Sequence, residues 1–282
     1  MPSNPCAAAN ASRVDITGPP GFVSHDSILL SHGDRTPRAF LLLHGLTASP
    51  RQFETFAQLL FDRGSNVYVP RLPRHGLADR LTTELEGLTA AELLAFTRES
   101  VATATALGNR LVVVGFSVGG LLAAWIGQHV AVERATCIAP FLGVAWIPHA
   151  LTARAARVTL AMPNQFWWWN PLVRERMRPA HGYPRFATHA VAEAARLAGD
   201  VIAAAGERSP AAGDVQIVLN ASESTVSNPA ARELARRWSA RTSGGIVLHR
   251  LHGLPPSHDI IEPLGSSRAN RIYPTLVRLV DH

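Results

Sequence analysis

The stretch LVVVGFSVGG at residues 111–120 joins a short apolar run to a serine flanked by glycines. Four consecutive aliphatic residues, three of them β-branched, predict a strand at the centre of a parallel sheet. Residues 118–130 then predict a helix. A sharp turn between the two needs small residues on both sides of the serine and lifts its hydroxyl above the sheet edge. The pattern predicts Ser117 as a nucleophile, and the alternative is an ordinary glycine-rich helix start.

A second motif, LLLHGLT at residues 41–47, lies two strand–helix units before this serine. The tetrahedral oxyanion formed in acyl transfer needs at least two preorganised N–H donors. We expect one donor to be the backbone N–H of Val118, directly after the nucleophile. We expect the other to be the backbone N–H of Leu46, because Gly45 allows a close approach of the chain.

Strand and helix patterns alternate outward from these motifs along most of the chain. The predicted strands are residues 39–43, 67–69, 111–114, 135–138, 215–219 and 246–251, and the predicted helices are residues 50–63, 89–107, 118–130, 187–206, 229–241 and 268–281. Repeated strand–helix units predict an α/β fold with a mainly parallel central sheet flanked by helices. A short antiparallel pair is expected at the sheet edge within residues 22–30.

The alternation is interrupted between residues 141 and 186, a segment rich in tryptophan and proline. This interruption predicts an inserted cap, or lid. The core would then consist of residues 21–140 and 187–282. Residues 1–20 are rich in proline, alanine, asparagine and serine, and we expect them to form a flexible tail.

Large aromatic side chains are concentrated in the predicted cap. For each ring, packing between the cap and the core is the first expectation. Together the rings predict an apolar lid over Ser117, which suits acyl chains better than charged peptides. The predicted pocket residues are Trp146, Phe166, Trp167 and Trp168 from the cap, with His44 and His75 from the core.

Four motifs resemble those of the α/β-hydrolase superfamily, and within it the carboxylesterase and monoacylglycerol-lipase branch, also called serine aminopeptidase-like. They are LLLHGLTASP (41–50), PRLPRHGLA (70–78), GFSVGG (115–120) and PPSHDII (255–261). The resemblance extends over residues 38–281 and implies the α/β-hydrolase fold and a serine hydrolase mechanism. Arg74 stands where that branch usually has glycine, so we expect a stiffer loop there.

The catalytic histidine is expected last in the chain order of this superfamily. His258 follows the final predicted strand by a short loop, and His258-Asp259-Ile260 resembles the His-x-Ile/Val end of the branch's Ser-x-His-x-Ile/Val motif. It is therefore the predicted general base. His249 and His252 are the neighbouring alternatives, but they lie within that strand and at its end.

The catalytic acid is expected after the strand at residues 215–219. The branch usually has an aspartate there, three residues before an aliphatic residue. Glu223 has this spacing to Val226 and is the only carboxylate in the turn. Asp214 precedes the strand, and Asp259 adjoins His258 too closely to reach its Nδ1 easily. We predict Ser117, His258 and Glu223 as a triad. The alternative is a solvated Glu223, with the acid elsewhere.

Composition and charge indicate which other classes of protein this sequence does not fit. The 282 residues are 47% hydrophobic and 17% charged, which indicates a folded globular chain. The net charge of +6 comes from arginine alone, and the arginines are scattered, so no nucleic-acid partner is expected. The sequence contains no run of about twenty apolar residues, so no transmembrane helix is expected. No HExxH or Cys/His cluster is present, so neither a metal nor a cofactor is expected.

The predicted activity is hydrolysis of carboxylic esters, by an esterase or a monoacylglycerol-type lipase acting on a small-molecule ester or acylglycerol. One alternative is an aminopeptidase or amidase, although the predicted cap contains only Glu175 to bind a free amine. Another is a non-catalytic ligand-binding protein of the same fold. The first residues lack the pattern of a signal peptide, so a cytoplasmic location is expected unless a secretion signal was removed before residue 1. The oligomeric state is not predicted.

Overall fold

A computed structural model describes residues 12–13, 26–177, 181–242, 244–261 and 269–281 of the chain. Within these ranges, a large twisted sheet runs through the molecule. The strands are β1 (Ser12–Arg13), β2 (Ile28–Ser31), β3 (Thr36–Leu43), β4 (Asn66–Val69), β5 (Gly108–Phe116), β6 (Arg134–Ile138), β7 (Phe166–Trp168), β8 (Arg185–Ala187), β9 (Asp214–Asn220) and β10 (Ile246–Leu251).

The described strands of the main sheet lie in the order β1-β2-β4-β3-β5-β6-β9-β10. β1 and β2 run antiparallel at one edge, and the remaining strands are parallel. The apolar runs of β3 and β5 are buried on successive residues, which is expected where helices cover both faces of a sheet. The predicted mainly parallel sheet is confirmed.

Helices connect the parallel strands and fall into two groups. They are α1 (Glu54–Phe61), α2 (Ala90–Ala106), α3 (Val118–His129), α4 (Thr152–Ala161), α5 (Thr188–Glu207), α6 (Asn228–Ser239) and α7 (Ala269–Asp281). α1 contacts α7, whereas α2, α3, α5 and α6 contact one another in succession. The predicted flanking helices are therefore present, and the first turn of the helix predicted from residue 50 is a 3-10 turn, Pro50–Phe53.

The N-terminal predictions are only partly covered by the described residues. The tail predicted at residues 1–20 lies outside them, except for β1. Residues 22–25 of the predicted antiparallel pair also lie outside them. β2 is antiparallel to both β1 and β4, as expected for the edge of the sheet.

The segment between β6 and α5 adds elements outside the main sheet. β7 and β8 form a separate antiparallel pair. α4 packs against α5, and Ala156 is buried in that contact. These elements lie in the segment where the sequence predicts a cap.

The carboxyl ends of the parallel strands bring four loops together. Leu43 at the end of β3 pairs with Gly115 of β5, and Leu251 at the end of β10 pairs with Asn220 of β9. In open parallel sheets, ligands bind at this end of the strands. The loops after β3, β5, β9 and β10 carry every residue predicted for the triad and the oxyanion hole.

Candidate active site

Ser117 lies in a strained turn between β5 and α3. Its φ angle is 58°, in the left-handed region that few residues other than glycine adopt. A Cβ atom at Gly119 would overlap the carbonyl oxygen of Leu43, and one at Gly115 would overlap that of Gly119. Both glycines are therefore required for the turn to pack. The turn presents the Ser117 hydroxyl at the N-terminus of α3, where negative charge is favoured.

A chain of hydrogen bonds joins the serine, histidine and glutamate predicted from the sequence. His258 Nε2 lies 2.8 Å from Ser117 Oγ, and His258 Nδ1 lies 2.9 Å from Glu223 Oε2. The second carboxylate oxygen of Glu223 accepts from the N–H of Thr225 at 2.7 Å and of Val226 at 3.4 Å. The Glu223 side chain is fully buried, so the alternative of a solvated glutamate does not describe this site.

The ionisation of Glu223 is set by two opposing effects. Burial raises the pKa of the carboxyl group. The hydrogen bond and charge of His258, with the N–H groups of Thr225 and Val226, outweigh burial and leave the pKa of Glu223 below its ordinary value. An ionised Glu223 can accept a hydrogen bond from the Nδ1–H group of His258. It also stabilises the imidazolium form of that ring.

Side chains from the end of β9 hold the loop that carries His258. Asn220 Nδ2 donates to the carbonyl of Pro255 at 2.9 Å, and Ser224 Oγ donates to that of Pro256 at 3.1 Å. The ring of Phe116 packs against the His258 ring at 4.8 Å between centroids. The alternative histidines, His249 and His252, lie within β10 and exposed at its end.

The two predicted oxyanion donors border the space in front of Ser117. Leu46 and Val118 both line the cavity that contains the serine. Among the hydrogen bonds of the described residues, none uses the N–H of Leu46 or of Val118. Two N–H groups without a described hydrogen-bond partner, on residues that line the cavity beside a hydroxyl, are consistent with the predicted oxyanion hole.

The loop at residues 45–49, after β3, carries Leu46 and is called the oxyanion loop for its predicted role. His44 lies behind this loop and not in the pocket. The side chain is fully buried, and its Nε2 accepts from the N–H of Leu72 at 3.1 Å. Its Nδ1–H therefore donates to the carbonyl of Gly45 at 2.9 Å. That carbonyl belongs to the peptide unit whose N–H is that of Leu46. Because the two groups of a trans peptide point in opposite directions, His44 fixes the direction of the Leu46 N–H.

His75 holds the next peptide unit of the loop through its N–H group. Its Nε2 accepts from the N–H of Thr47 at 3.0 Å, and its Nδ1–H donates to the carbonyl of Pro73 at 2.7 Å. Burial lowers the pKa of His75 to about 4, with Arg71 adding to the effect and the bond to Pro73 opposing it. Burial also holds the pKa of His44 well below its ordinary value. The prediction that these histidines line the pocket was wrong, since both are neutral supports of the loop backbone.

Arg74 keeps the backbone shape of the glycine it replaces. Its φ angle of 64° is left-handed, at a cost of order 1 kcal/mol for a residue with a side chain. The guanidinium group forms ion pairs with Glu84 at 3.1 Å and Glu92 at 3.0 Å. These ion pairs fix the position of the loop that carries His75.

A cavity of about 660 Å³ opens above Ser117 and His258. Most of its wall is apolar, and the aromatic residues in it are Phe116, Phe141, Trp146, Trp167, Trp169, Tyr183 and Phe186. Trp146 and Trp167 are 73% and 51% exposed, so they lie where the cavity meets solvent. Further exposed apolar side chains of the same segment are Leu151, Val158, Met162, Leu172 and Val173.

Two predicted pocket residues, Phe166 and Trp168, do not belong to the described wall of the cavity. Successive residues of a strand point to opposite faces. β7 therefore turns Trp167 to the cavity and the other two rings away from it. Phe166 stacks instead beneath the guanidinium group of Arg185, at 4.5 Å.

Thr47 ties the same segment to the oxyanion loop. Its carbonyl accepts from the N–H of Tyr183 at 2.7 Å, and its Oγ1 accepts from Trp169 Nε1 at 2.8 Å. With the bond from its own N–H to His75, all three polar groups of Thr47 are held. The loop is therefore clamped from the core and from the segment above it.

The sequence pattern of the alpha/beta hydrolase family matches residues 40–265, which is more than half of the chain. The chain belongs to this family. The predicted superfamily is thereby confirmed. No curated protein sequence matches the chain.

Several solved structures have the same fold as this hydrolase at low sequence identity. A monoacylglycerol lipase from Paleococcus ferrophilus is 14% identical with a TM-score of 0.68, covering 92% of this chain and 98% of the lipase. A soluble variant of monoglyceride lipase from Saccharomyces cerevisiae is 11% identical with a TM-score of 0.69, covering 92% and 94%. An enol-lactonase from Burkholderia xenovorans is 16% identical with a TM-score of 0.58, covering 91% and 96%.

The described residues contain no cluster of three or more histidine, cysteine, aspartate or glutamate side chains that could hold a metal ion. None of the helices in the described ranges combines the length and the apolar character that crossing a bilayer needs.

Sequence reasoning missed three residues around the site of this hydrolase: Gln52, Trp169 and Asp259. For Trp169 a signal existed, because the alternation of a strand places Trp167 and Trp169 on one face. Gln52 precedes the apolar face of α1, and nothing in the helical periodicity marks it as buried. Asp259 was considered only as an acid for His258, and its carboxylate instead accepts from Gln52 Nε2.

We predict that His75 makes the hydrolase less stable as the pH falls from about 6.5 to about 4. In this window the unfolded histidine takes up a proton and the buried one does not, so the unfolded state binds more protons. The contribution, present in full above the window, is about 3 kcal/mol. His75→Gln keeps an acceptor for Thr47 and does not titrate.

Urea unfolding of both proteins at about pH 7 and about pH 4.5 measures the effect. The loss of unfolding free energy between the two pH values should be smaller in His75→Gln than in the wild type. Equal losses would contradict the prediction.

Proposed function

We propose that this hydrolase is a serine esterase that cleaves carboxylic esters with apolar acyl groups through an acyl-enzyme on Ser117. The observation that carries the proposal is the continuous hydrogen-bonded chain from Ser117 Oγ through His258 to Glu223, at the base of an apolar cavity. Two of the similar structures are named as lipases of monoacylglycerol or monoglyceride and a third as an enol-lactonase, and these names support an ester substrate.

The residues of the proposed triad divide the reaction into two steps. His258 Nε2 takes the proton of Ser117 as Oγ attacks the ester carbonyl, and it returns that proton to the leaving alcohol. A water molecule then gives a proton to His258 Nε2 and attacks the acyl-enzyme. His258 passes that proton to Ser117 Oγ as the bond to the acyl group breaks, which releases the acid and restores the serine. Glu223 holds the proton on Nδ1 and stabilises the imidazolium ion in both steps.

The N–H groups of Leu46 and Val118 are the proposed oxyanion hole. Each tetrahedral intermediate places a negative oxygen between them, and the ground-state carbonyl carries less charge. The bonds from His44 and His75 to the loop backbone hold the first donor in place before the substrate arrives. Donors that need not reorganise stabilise the transition state more than the bound ester.

We also propose that residues 141–186 act as a cap over a core formed by residues 21–140 and 187–282. The supporting observations are that this segment adds α4 and the β7–β8 pair outside the sheet and supplies Trp146, Trp167 and Trp169 to the cavity wall. Trp146 and Trp167, which are exposed and line the cavity, fit the entry of an apolar substrate. The expected absence of nucleic acid as a partner and the expected cytoplasmic location stay predictions.

An aminopeptidase would need a carboxylate in the cavity that can bind an ammonium group. Of the described lining residues, Asp259 is the one carboxylate, and both of its oxygens already accept, from Gln52 Nε2 at 2.7 Å and from the N–H of Ile261 at 3.0 Å. The site therefore favours neutral esters over amino-terminal peptides.

A fluorophosphonate probe and a panel of p-nitrophenyl esters test the proposal directly. The probe should label the wild-type protein and fail to label Ser117→Ala, and the wild type should hydrolyse the esters. Absence of both labelling and ester turnover would favour the non-catalytic alternative. Turnover of aminoacyl-naphthylamides without ester turnover would favour the peptidase.

A bulky side chain on the cavity wall should shorten the acyl chain that the enzyme accepts. Ala155 on α4 lines the cavity, and Ala155→Phe would place a ring in that space. We expect kcat/KM for an octanoyl ester to fall by about 10-fold or more, since one or two displaced methylenes are worth that much, and that for an acetyl ester to change little. Ala153→Phe, on the exposed side of the same helix, is the control. Equal effects on both esters would place the acyl chain elsewhere.

A further inference from the structure

We propose that Gln52 and Asp259 are positioning residues that tie the loop carrying His258 to the loop carrying the oxyanion donor Leu46. This inference rests on the esterase function proposed above. It concerns two side chains with no place in the triad or the oxyanion hole. They connect positions 207 residues apart in the chain.

The Gln52 amide bridges the two loops with both of its ends. Its Oε1 accepts from the N–H of Gly45 at 2.9 Å, and its Nε2 donates to Asp259 Oδ2 at 2.7 Å. A backbone N–H can only donate, so the oxygen of the amide must face Gly45 and the nitrogen must face Asp259. Gln52 as a whole residue is only 4% exposed, so water does not readily replace either bond.

Asp259 anchors the other end of the bridge next to the base. It follows His258 directly, and its Oδ1 accepts from the N–H of Ile261 at 3.0 Å. Each carboxylate oxygen therefore accepts a separate donor. A neutral asparagine has a single acceptor oxygen and could satisfy only one of them.

The sheet alone does not set the distance between these two loops. The carboxyl ends of β3 and β10 lie on the same side of the sheet, but β5, β6 and β9 lie between the two strands. The oxyanion donor and the base must nevertheless both be correctly positioned around the same reacting carbonyl. The bridge through Gln52 supplies a direct connection between the two loops, and it ends on Gly45, the residue before Leu46.

An exchange of the amide and the carboxylate tests the bridge. Gln52→Glu alone would place two carboxylates against each other, and Asp259→Asn alone would leave one donor without an acceptor. In the double variant Gln52→Glu/Asp259→Asn, the glutamate accepts from Gly45 and from the asparagine amide, while the asparagine oxygen accepts from Ile261. The complementary pattern is restored with the same total charge.

We expect each single variant to lower kcat for p-nitrophenyl butyrate by about 10-fold or more, below the loss for deleting an oxyanion donor outright. KM should change by less than about threefold, because the cavity wall is otherwise intact. The double variant should recover at least about half of the lost free energy of activation. Inhibition by a trifluoromethyl ketone, which forms an oxyanion on Ser117, should weaken and recover in parallel.

Two matched changes separate positioning from folding. Gln128 is also buried, at 2% exposure, and accepts from Trp238 Nε1 far from the site, so Gln128→Glu should lower thermal stability and leave kcat unchanged. Gln58 donates to Asp62 on the exposed side of α1, and the exchange Gln58→Glu/Asp62→Asn should leave both unchanged.

The bridge is overturned if folded Gln52→Glu and Asp259→Asn keep wild-type kcat, or if the double variant is no faster than the slower single variant. A wild-type protein that neither reacts with a fluorophosphonate nor cleaves esters would overturn the esterase function and the bridge together. The first pair of results leaves the esterase function standing, so the two failures are distinguishable.

Discussion

Ser117→Ala is expected to lower kcat for ester hydrolysis by about 10⁵- to 10⁶-fold, the loss typical of removing a nucleophile from a serine triad. The hydroxyl lies 2.8 Å from His258 Nε2, and no other described hydroxyl bonds to that nitrogen. Without Oγ, water must attack the ester directly. The proposed oxyanion donors and the cavity would then account for the rate enhancement that remains.

The alanine variant should fold as the wild type does. It keeps the Cβ atom, so the cost of a φ angle of 58° is unchanged, and only a hydroxyl that is 7% exposed as part of its residue is lost. Initial rates on p-nitrophenyl butyrate and a thermal melt of both proteins measure the two effects. Ser239→Ala, at the exposed end of α6, is the control. A Ser117→Ala protein with more than about a tenth of the wild-type rate would refute the acyl-enzyme mechanism.

Glu223→Gln is expected to lower kcat by about 10⁴-fold, because the amide would select the wrong tautomer of His258. The oxygen Oε1 accepts from the backbone N–H of Thr225 and Val226, so the amide oxygen of a glutamine must occupy that position. The amide nitrogen would then face His258 Nδ1 and donate to it. An imidazole that accepts at Nδ1 carries its proton on Nε2 and cannot take the proton of Ser117.

The same geometry predicts a different result for Glu223→Asp. The carboxylate keeps two acceptors, but its shorter arm cannot reach both the backbone donors and His258, so an intermediate rate is expected. Glu207→Gln, on the exposed end of α5, is the control for loss of a negative charge. Steady-state rates at pH above neutrality measure the series, and a Glu223→Gln enzyme as active as Glu207→Gln would show that another group orients His258.

Two buried histidines support the backbone of the proposed oxyanion loop as neutral side chains. His44 and His75 each accept a backbone N–H at Nε2 and donate from Nδ1 to a carbonyl, which requires the uncharged ring. Burial lowers the pKa of both and keeps them uncharged at neutral pH. Their hydrogen bonds hold the peptide groups of Leu46 and Thr47 in place. A residue type that often suggests chemistry is therefore structural at these two positions.

The sequence by itself determined the features that depend on neighbours along the chain. The strand–helix alternation follows from runs of apolar residues, and the confirmed sheet and helices lie within a few residues of the predicted ones. The turn at Ser117 depends locally on Gly115, because a Cβ atom there would overlap the carbonyl oxygen of Gly119 four residues later. The need for Gly119 is a tertiary effect, because a Cβ atom there would overlap the carbonyl oxygen of Leu43 in β3. The order of motifs was sufficient to nominate His258 and Glu223.

Only the tertiary structure decided what depends on contacts between distant segments. His44 and His75 lie behind the oxyanion loop because each bonds to a loop other than its own. His44 accepts from Leu72, in the loop after β4, and His75 accepts from Thr47, in the loop after β3. The tertiary structure also brought Trp169 into the cavity wall in place of Phe166 and Trp168, since the β7–β8 pairing sets which face of the strand meets the core. Local periodicity contains no information on such pairings, because they are fixed by how separate elements pack and which buried polar groups must be satisfied.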